Sequence, residues 1–410
     1  MQQPPLAGKR VIELGTMLAA PFAAHILSQL GAEVIKVEPP AGDPTRSLVR
    51  GGPSGTFIAY SHGKKSVCIN LVDEGGRAAF RKLLVGADAL VHNLAPKAAR
   101  KLGVTREDCA AINPNLVYCH IRGYAAGPQE DDLASNPVAE ASTGVMEGNR
   151  VDGRPSRLGP SYHDQFAGAY AVIGILASML QQDQGDAGAD PVEIGLYETG
   201  LHVASRDLVG VQLKTHLFGQ PEREPHGEFS MPGYGAYQTA DQRWIYLLML
   251  NDSHWQKFCQ ALRVAAPDAE AFATLRQRKK AREQVETLVK SVVGALGFEE
   301  ATARLKAAGM GFTEVLPLER VLEAPQAQQP GTLRHVDVRG LAFQIPEFPH
   351  LRANAGAGAT MSAPELGQHT AEVLRSAGVT ASEYDGLVES GAVRIATTNQ
   401  FAWAPVNRDT

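Results

Sequence analysis

The chain has 410 residues, 44% of them hydrophobic and 20% charged, with a formal net charge of −5 and a pI of about 6.2. At ~150 residues per domain this allows two or three domains with an ordinary globular core. There is no basic excess to attract nucleic acid or anionic membrane, and no apolar run reaches the ~18 residues of a membrane span.

The opening MQQPPLAGKR is too polar and short for a signal peptide, and the closing NRDT matches no targeting signal, so a cytoplasmic location is expected. Cys68, Cys109, Cys119 and Cys259 make no CxxC pair, which removes the usual zinc-ribbon and redox patterns. No metal site is expected.

In chain order, VIEL before Gly15 reads as a strand, Pro21–Leu30 as a helix and Glu33–Val37 as a second strand. Ser66–Leu71, Ala89–His92 and Val117–Ile121 follow as strands, with helices over Glu74–Val85 and Ala98–Leu102 between them. This βαβ order predicts an α/β fold with a doubly wound parallel sheet. The turn after the first strand is GTMLAAP rather than GxGxxG, which disfavours a nicotinamide or flavin enzyme. No GxxxxGK[ST] loop supports ATP hydrolysis.

Residues 123–163 are loop-rich, a texture that often lines sites. Asp164 then opens a long apolar run in which Phe166, Tyr170, Ile173, Ala177 and Leu180 recur at helical spacing. Locally, Asp164 reads as a helix cap, kept ionised by the positive end of the helix dipole. EIGLYETGLHVA predicts a strand and then a helix to about residue 213.

Composition shifts at Phe218–Gly235, dense in Pro, Gly, Glu and His. A β-hairpin around Asp241-Gln242 is expected within Ala236–Leu250, then helices over His254–Leu262 and Ala266–Gly297. The run RQRKKAREQ reads as a solvated helix face. Residues 220–315 thus form a smaller α+β domain. Short elements follow at Leu318–Leu322 and Arg334–Phe343, a capped helix start at Ala363–Leu374 and a loosely packed final dozen residues.

Four stretches combine: Val11–Pro21 with GAEVIKVEPPAGDPTR, NLAPKAARKLG, IRGYAAGP and the Asp164 helix. With their order and spacing they resemble the class III coenzyme A transferase family, which includes formyl-CoA transferase, carnitine CoA-transferase and α-methylacyl-CoA racemase. The resemblance extends over nearly the whole chain, including YQTADQRWIYL and APELGQHTAEVL. It implies a Rossmann-like large domain made from both chain ends, residues 1–215 and 316–410, with 220–315 as the small domain. It also implies two chains interlocked as a homodimer.

By the same resemblance Asp164 is the nucleophile, and coenzyme A is a substrate rather than a resident cofactor. The positions matching the family's CoA contacts are Met17, Leu18, Ala19, Arg46, Ile69, Asn93, Leu94, Ala98, Arg100, Arg122 and Tyr124. The sequence departs from the family pattern in four ways. Leu18 stands in place of a glutamine and Pro39 in place of a nucleotide-contacting arginine, for which Lys97 or Arg46 compensates. Glu140 stands where a glutamine is typical, and GEFSMPGYG at 227–235 lacks a multi-glycine lid. The changes at Leu18 and the lid argue against formate or oxalate as the acid.

The implied chemistry is attack of the Asp164 carboxylate on an acyl-CoA thioester, giving an acyl-aspartyl anhydride and then an aspartyl-CoA thioester. Gly233 and Gly235 are candidate oxyanion donors, and Arg50, Arg150, Arg154 and Arg157 candidate partners for a second substrate carboxylate. The main rival is an acyl-CoA racemase. It needs two bases, and Ser135 stands where the racemase has its histidine, leaving His163 as the only nearby substitute. A non-catalytic CoA-binding protein is the other alternative.

Overall fold

Five strands whose residues are almost all buried set the frame: β1 (Arg10–Leu14), β2 (Glu33–Glu38), β3 (Lys65–Ile69), β4 (Ala89–His92) and β5 (Val117–Arg122). The computed structural model describes residues 3–49, 52–184, 190–219, 231–338, 340–349 and 362–394. By compactness the chain divides into two units, Met1–Leu208 with Gln329–Thr410, and Val209–Gln328.

In the first unit the helices are α1 (Ala19–Gln29), α2 (Gly55–Ser61), α3 (Glu74–Val85), α4 (Pro96–Leu102), α5 (Arg106–Ala110), α6 (Asn136–Ser142), α7 (Val145–Gly148) and α8 (Tyr162–Asp183). A two-strand ribbon, β6 (Arg150–Val151) with β7 (Arg154–Pro155), precedes α8. Then come β8 (Val192–Gly195), α9 (Leu196–Val203) and α10 (Ser205–Phe218), the last running past the unit boundary.

The second unit holds an antiparallel sheet of β9 (Gly235–Gln238), β10 (Trp244–Leu247) and β11 (Phe312–Glu314), built on the expected hairpin. Its helices are α11 (Asp252–Leu262), α12 (Ala266–Ala271), α13 (Leu275–Lys280), α14 (Arg282–Gly294), α15 (Phe298–Ala307) and α16 (Leu318–Val321). The single helix expected over Ala266–Gly297 is thus three. Thr274 caps α13 in a reciprocal capping box with Gln277, starting a new helix within the run. Nor is the basic run all solvated. Arg278 is fully buried, donating to the carbonyls of Phe272 and Ala273 and to Asp252.

Back in the first unit, β12 (Leu333–Val338) and β13 (Leu341–Pro346) form a hairpin packed on Ile58 of α2. The segment read as a helix start at Ala363 is not helical until α17 (Thr370–Ser376). Ser66 holds the preceding turns, its Oγ and carbonyl accepting the N–H groups of Gly367 and His369. α18 (Ala381–Glu389) and β14 (Val393–Arg394) end the described chain, so the final dozen residues lie outside it.

The seven-stranded sheet has the order β14-β3-β2-β1-β4-β5-β8, parallel except for β14. Successive strand residues face opposite sides. Val11, Val34 and Val91 join α1 and α8 in one core, while Ile12, Ile35 and Leu90 join α3 and α17 in another. The direction of winding reverses between β1 and β4, so a crevice opens at the carboxyl ends of these strands, where ligands bind in doubly wound folds.

α8 packs on α1 through small residues. Ala167 and Ala171 are buried, and a Cβ on Gly168 would lie 2.8 Å from the Ala19 carbonyl oxygen. The conspicuous apolar series in the sequence lies on the other side of the helix. Phe166, Ile173 and Leu180, spaced by seven, are 41%, 62% and 58% exposed.

Charge is buried at the ends of β1 and β2. The parallel register sets Lys36 beside Glu13. Lys36 Nζ donates to Glu13 (2.7 Å), Asp43 (2.8 Å) and the Gly15 carbonyl (3.0 Å). Lys64 Nζ donates to the other Glu13 oxygen (2.6 Å) and to the Pro21 carbonyl (2.8 Å). Beside them, Arg46 forks onto Glu38 with two bonds of 2.7 Å. Burial penalises every one of these charges, but the carboxylates around Lys36 more than offset this and raise its pKa. Lys36→Met would leave buried Asp43 without its cation and Glu13 with Lys64 alone, so we expect a loss of about 3–5 kcal/mol of stability, measured by urea unfolding.

Candidate functional site

The carboxyl edge of the sheet gathers most of the residues singled out by sequence. Met17, Leu18 and Ala19 follow β1, Arg46 follows β2, Ile69 ends β3, Asn93, Leu94, Lys97 and Ala98 follow β4, and Arg122 ends β5. Parallel strands bring these distant positions to one rim. Met17 adopts φ +66°, an uncommon conformation for a residue with a side chain, and it is solvent-exposed.

Asn93 bridges the loops after β1 and β4. Its side-chain oxygen accepts the Thr16 N–H (2.9 Å) and its amide donates to the Thr16 carbonyl (2.9 Å). A Cβ on Gly15 would stand 2.5 Å from Ala20 Cβ and 2.9 Å from that Asn93 oxygen, so the glycine admits the close approach. The turn therefore does without GxGxxG by clamping β1 to β4 through an asparagine.

The side chains differ in availability. Lys97 is exposed and, among the described residues, forms no salt bridge, while Arg100 reaches Asp131 at 3.3 Å. Arg122 is mostly buried near Glu130 and Glu193, and its Nε has no hydrogen-bond partner among the described residues. Tyr124, packed on Tyr197, is buried, as are Ala19 and Ile69. Arg46 is committed. Its guanidinium binds Glu38 and the Pro364 carbonyl (2.9 Å) and lies over the Phe57 ring, so it holds the loop after β2 instead of replacing the missing arginine at position 39. Lys97 is left as the available cation of the two.

Asp164 is the third residue of α8, not its cap. Ser161 occupies the cap position without a side-chain bond. Capping is supplied by Asn136 from α6, whose Oδ1 accepts the N–H groups of His163 (2.9 Å) and Asp164 (3.3 Å). No local pattern joins residues 28 apart, which is why sequence reading missed Asn136. Among the described residues the Asp164 carboxylate makes no hydrogen bond or ion pair. Burial pushes its pKa up to about 6, with Arg157 lowering it and Glu140 raising it. This corrects the expectation of a carboxylate held firmly ionised by the helix end: desolvation wins.

His163, the candidate second base, is buried, 3.3 Å from Thr143 Oγ1 and packed against Gly200, and burial lowers its pKa. Arg150 is tied to Glu147 at 2.6 Å. Arg154 is exposed, and Arg157 Nε lies 4.0 Å from the buried Glu140. Arg50 and residues 227–230 lie outside the described residues.

In the second unit the Gly233 N–H is donated to Glu286 Oε1 (3.0 Å), and Gly235 lies in β9 opposite Leu247. Gly233 is therefore not a free oxyanion donor as the chain stands. Among the described residues no His, Cys, Asp and Glu cluster suited to a metal occurs, and no helix is long and apolar enough to cross a membrane.

The chain thus combines a doubly wound sheet, whose carboxyl rim gathers most of the residues singled out by sequence, with a desolvated aspartate in the first turn of a helix packed on the same sheet. Residues 6–370 match the model of CoA-transferase family III, and the chain belongs to that family. It is a CoA-transferase acting between an acyl-CoA and a carboxylic acid.

The chain is 27% identical over 391 residues to the succinate–glutarate CoA-transferase of Agrobacterium fabrum, covering 91% of this chain and 96% of that one. It is 30% identical to the succinyl-CoA:glutarate CoA-transferase of Mus musculus, covering 90% and 86%. Among solved structures it resembles a CAIB/BAIF family protein from Brucella suis, with a TM-score of 0.81, 25% identity and coverage of 92% and 100%.

The raised pKa has two measurable consequences. For any reaction that needs Asp164 ionised, kcat/KM should fall on the acid side with an apparent pKa near 6. The folded state binds the extra proton between the ordinary value of 3.8 and about 6, so this stabilisation is present below 3.8 and lost as pH rises through 6. Asp164→Asn should therefore be more stable than wild type above pH 6, by about 1–2 kcal/mol after discounting for partial solvation, and should gain nothing below 3.8. Unfolding at pH 3.5 and 7.5 checks this.

Proposed function

We propose that the chain transfers CoA between succinyl-CoA and a small dicarboxylic acid by covalent catalysis at Asp164. The observation that carries this reading is the desolvated, unpaired Asp164 carboxylate in the first turn of α8. Its oxygen attacks the thioester carbonyl, the C–S bond breaks and CoA thiolate leaves, forming an acyl-aspartyl anhydride. The thiolate then attacks the aspartyl carbonyl, releasing the donor acid and leaving an aspartyl-CoA thioester. The acceptor carboxylate reverses both steps and regenerates Asp164. A half-buried position suits this route, because an anhydride must be kept from water.

The first unit serves as the large, CoA-binding domain and the second as the small domain. Lys97, Arg100 and Arg122 are the rim cations for CoA phosphates. Met17, Leu18, Asn93, Leu94, Ala98 and Tyr124 shape the crevice beside them. The succinate and glutarate in the relatives' names supply the substrate class, and Arg154 and Arg157 are the cations available to a second carboxylate.

The protein acts as a cytoplasmic homodimer in this reading. Support comes from exposed apolar side chains: Phe166, Ile173 and Leu180 along α8, and Val209, Val211, Leu213 and Leu217 along α10. Apolar exposure of this extent along a helix marks a face that packs against another chain. A second copy is the simplest cover for a surface of this kind, although one relative, from Chloroflexus aurantiacus, is named as an alpha subunit.

Two tests follow. Asp164→Ala should abolish CoA transfer from succinyl-CoA to glutarate in a chromatographic assay while leaving the fold intact; retained turnover would refute the nucleophile. Ile173→Glu with Leu180→Glu should convert a dimer to monomer in sedimentation velocity, and an unchanged sedimentation coefficient would place the interface elsewhere.

A further inference from the structure

Asn136 and Glu140 lie one turn apart on α6, and the mechanism above uses neither. Both are buried. Asn136 Oδ1 accepts from the first-turn N–H groups of His163 and Asp164, and Asn136 Nδ2 donates to Glu140 Oε1 in a short contact. The other Glu140 oxygen accepts the Leu158 N–H (3.3 Å), and Arg157 Nε stands 4.0 Å from Oε1.

The chemistry of these donors and acceptors fixes their order. A carboxylate that receives N–H groups on both oxygens acts only as an acceptor. It draws the Asn136 NH₂ toward itself and leaves the amide oxygen facing α8. A glutamine at position 140 could present either end of its amide and would set no such polarity. The glutamate at this position therefore reinforces the orientation that the two α8 N–H donors also require of Asn136, and Asn136 in turn binds the backbone of Asp164.

We propose that Asn136 and Glu140 are positioning residues for Asp164: the buried carboxylate orients the asparagine, and the asparagine fixes the first turn of α8 so that the Asp164 carboxylate meets the thioester. The proposal rests on Asp164 being the nucleophile. It predicts effects on kcat rather than on acyl-CoA binding, because neither residue lies on the rim that holds CoA.

The test inverts the hydrogen-bond polarity of the pair. Asn136→Asp sets two carboxylates against each other and should lower kcat roughly tenfold to a hundredfold, with KM for acyl-CoA within about twofold of wild type. Glu140→Gln, nearly isosteric, should lower kcat by about tenfold, since the Asn136 NH₂ loses its acceptor-only partner and the asparagine is held from the α8 side alone.

In the double variant the introduced aspartate accepts both from α8 and from the introduced glutamine, whose carbonyl can still accept from Leu158. Its kcat should recover to within about threefold of wild type. Thermal midpoints recorded alongside separate lost stability from lost rate, and if Asn136→Asp does not fold, the comparison of Glu140→Gln with the double variant carries the test. A double variant no faster than either single variant, or single variants with wild-type kcat, overturns the positioning role. Wild-type enzyme treated with acyl-CoA and hydroxylamine is the accompanying control. Labelled Asp164 with unchanged variants overturns positioning alone, whereas unlabelled Asp164 in active enzyme overturns the nucleophile and this proposal together.

Discussion

The site depends first on the buried ion network at the ends of β1 and β2. Three cations, Lys36, Lys64 and Arg46, face three carboxylates, Glu13, Asp43 and Glu38. Their bonds tie the Gly15 carbonyl, the Pro21 carbonyl in α1 and the loop carrying Asp43 and Arg46 to the sheet. Each member is costly alone in a dry interior, and burial lowers the pKa of Lys64 to about 8 even with its bond to Glu13 in place. The turn after β1 therefore has one geometry available to it, and the Asn93 clamp extends that geometry across to β4.

On this base α8 has two unlike faces. Its small residues let it lie close against α1, with Ala167 and Ala171 in the core and Gly168 leaving room for the Ala19 carbonyl. On the other face Phe166, Ile173 and Leu180 project into solvent. Asp164 sits in the first turn, where its backbone is secured by Asn136 while its carboxylate has no partner among the described residues. A carboxylate that is partly desolvated and unpaired costs stability, and such groups with displaced pKa values are characteristic of functional sites.

Much of the sheet was legible because fully buried parallel strands and their helices carry strong periodic signals. β4 and α3 have the bounds read from sequence, and β2 differs by the single residue Glu38. Periodicity could not say which apolar face of α8 is inside, because Phe166, Ile173 and Leu180 have the same pattern whether they meet this chain's core or another surface. It also could not tell that Arg278 is buried or that Arg46 is occupied, since both depend on partners far away in the sequence. The local signal at Asp164 located a helix start but misjudged the capping residue. Asn136 competes for those N–H groups from α6, and only the fold brings it there.

The central claim is that Asp164 becomes covalently acylated. The most direct test mixes the enzyme with succinyl-CoA in the absence of acceptor, quenches with hydroxylamine and examines the peptide containing Asp164 by mass spectrometry. A hydroxamate on Asp164, formed in a single turnover and absent without acyl-CoA, is the expected result. An unmodified Asp164 in a preparation with full transfer activity would contradict it.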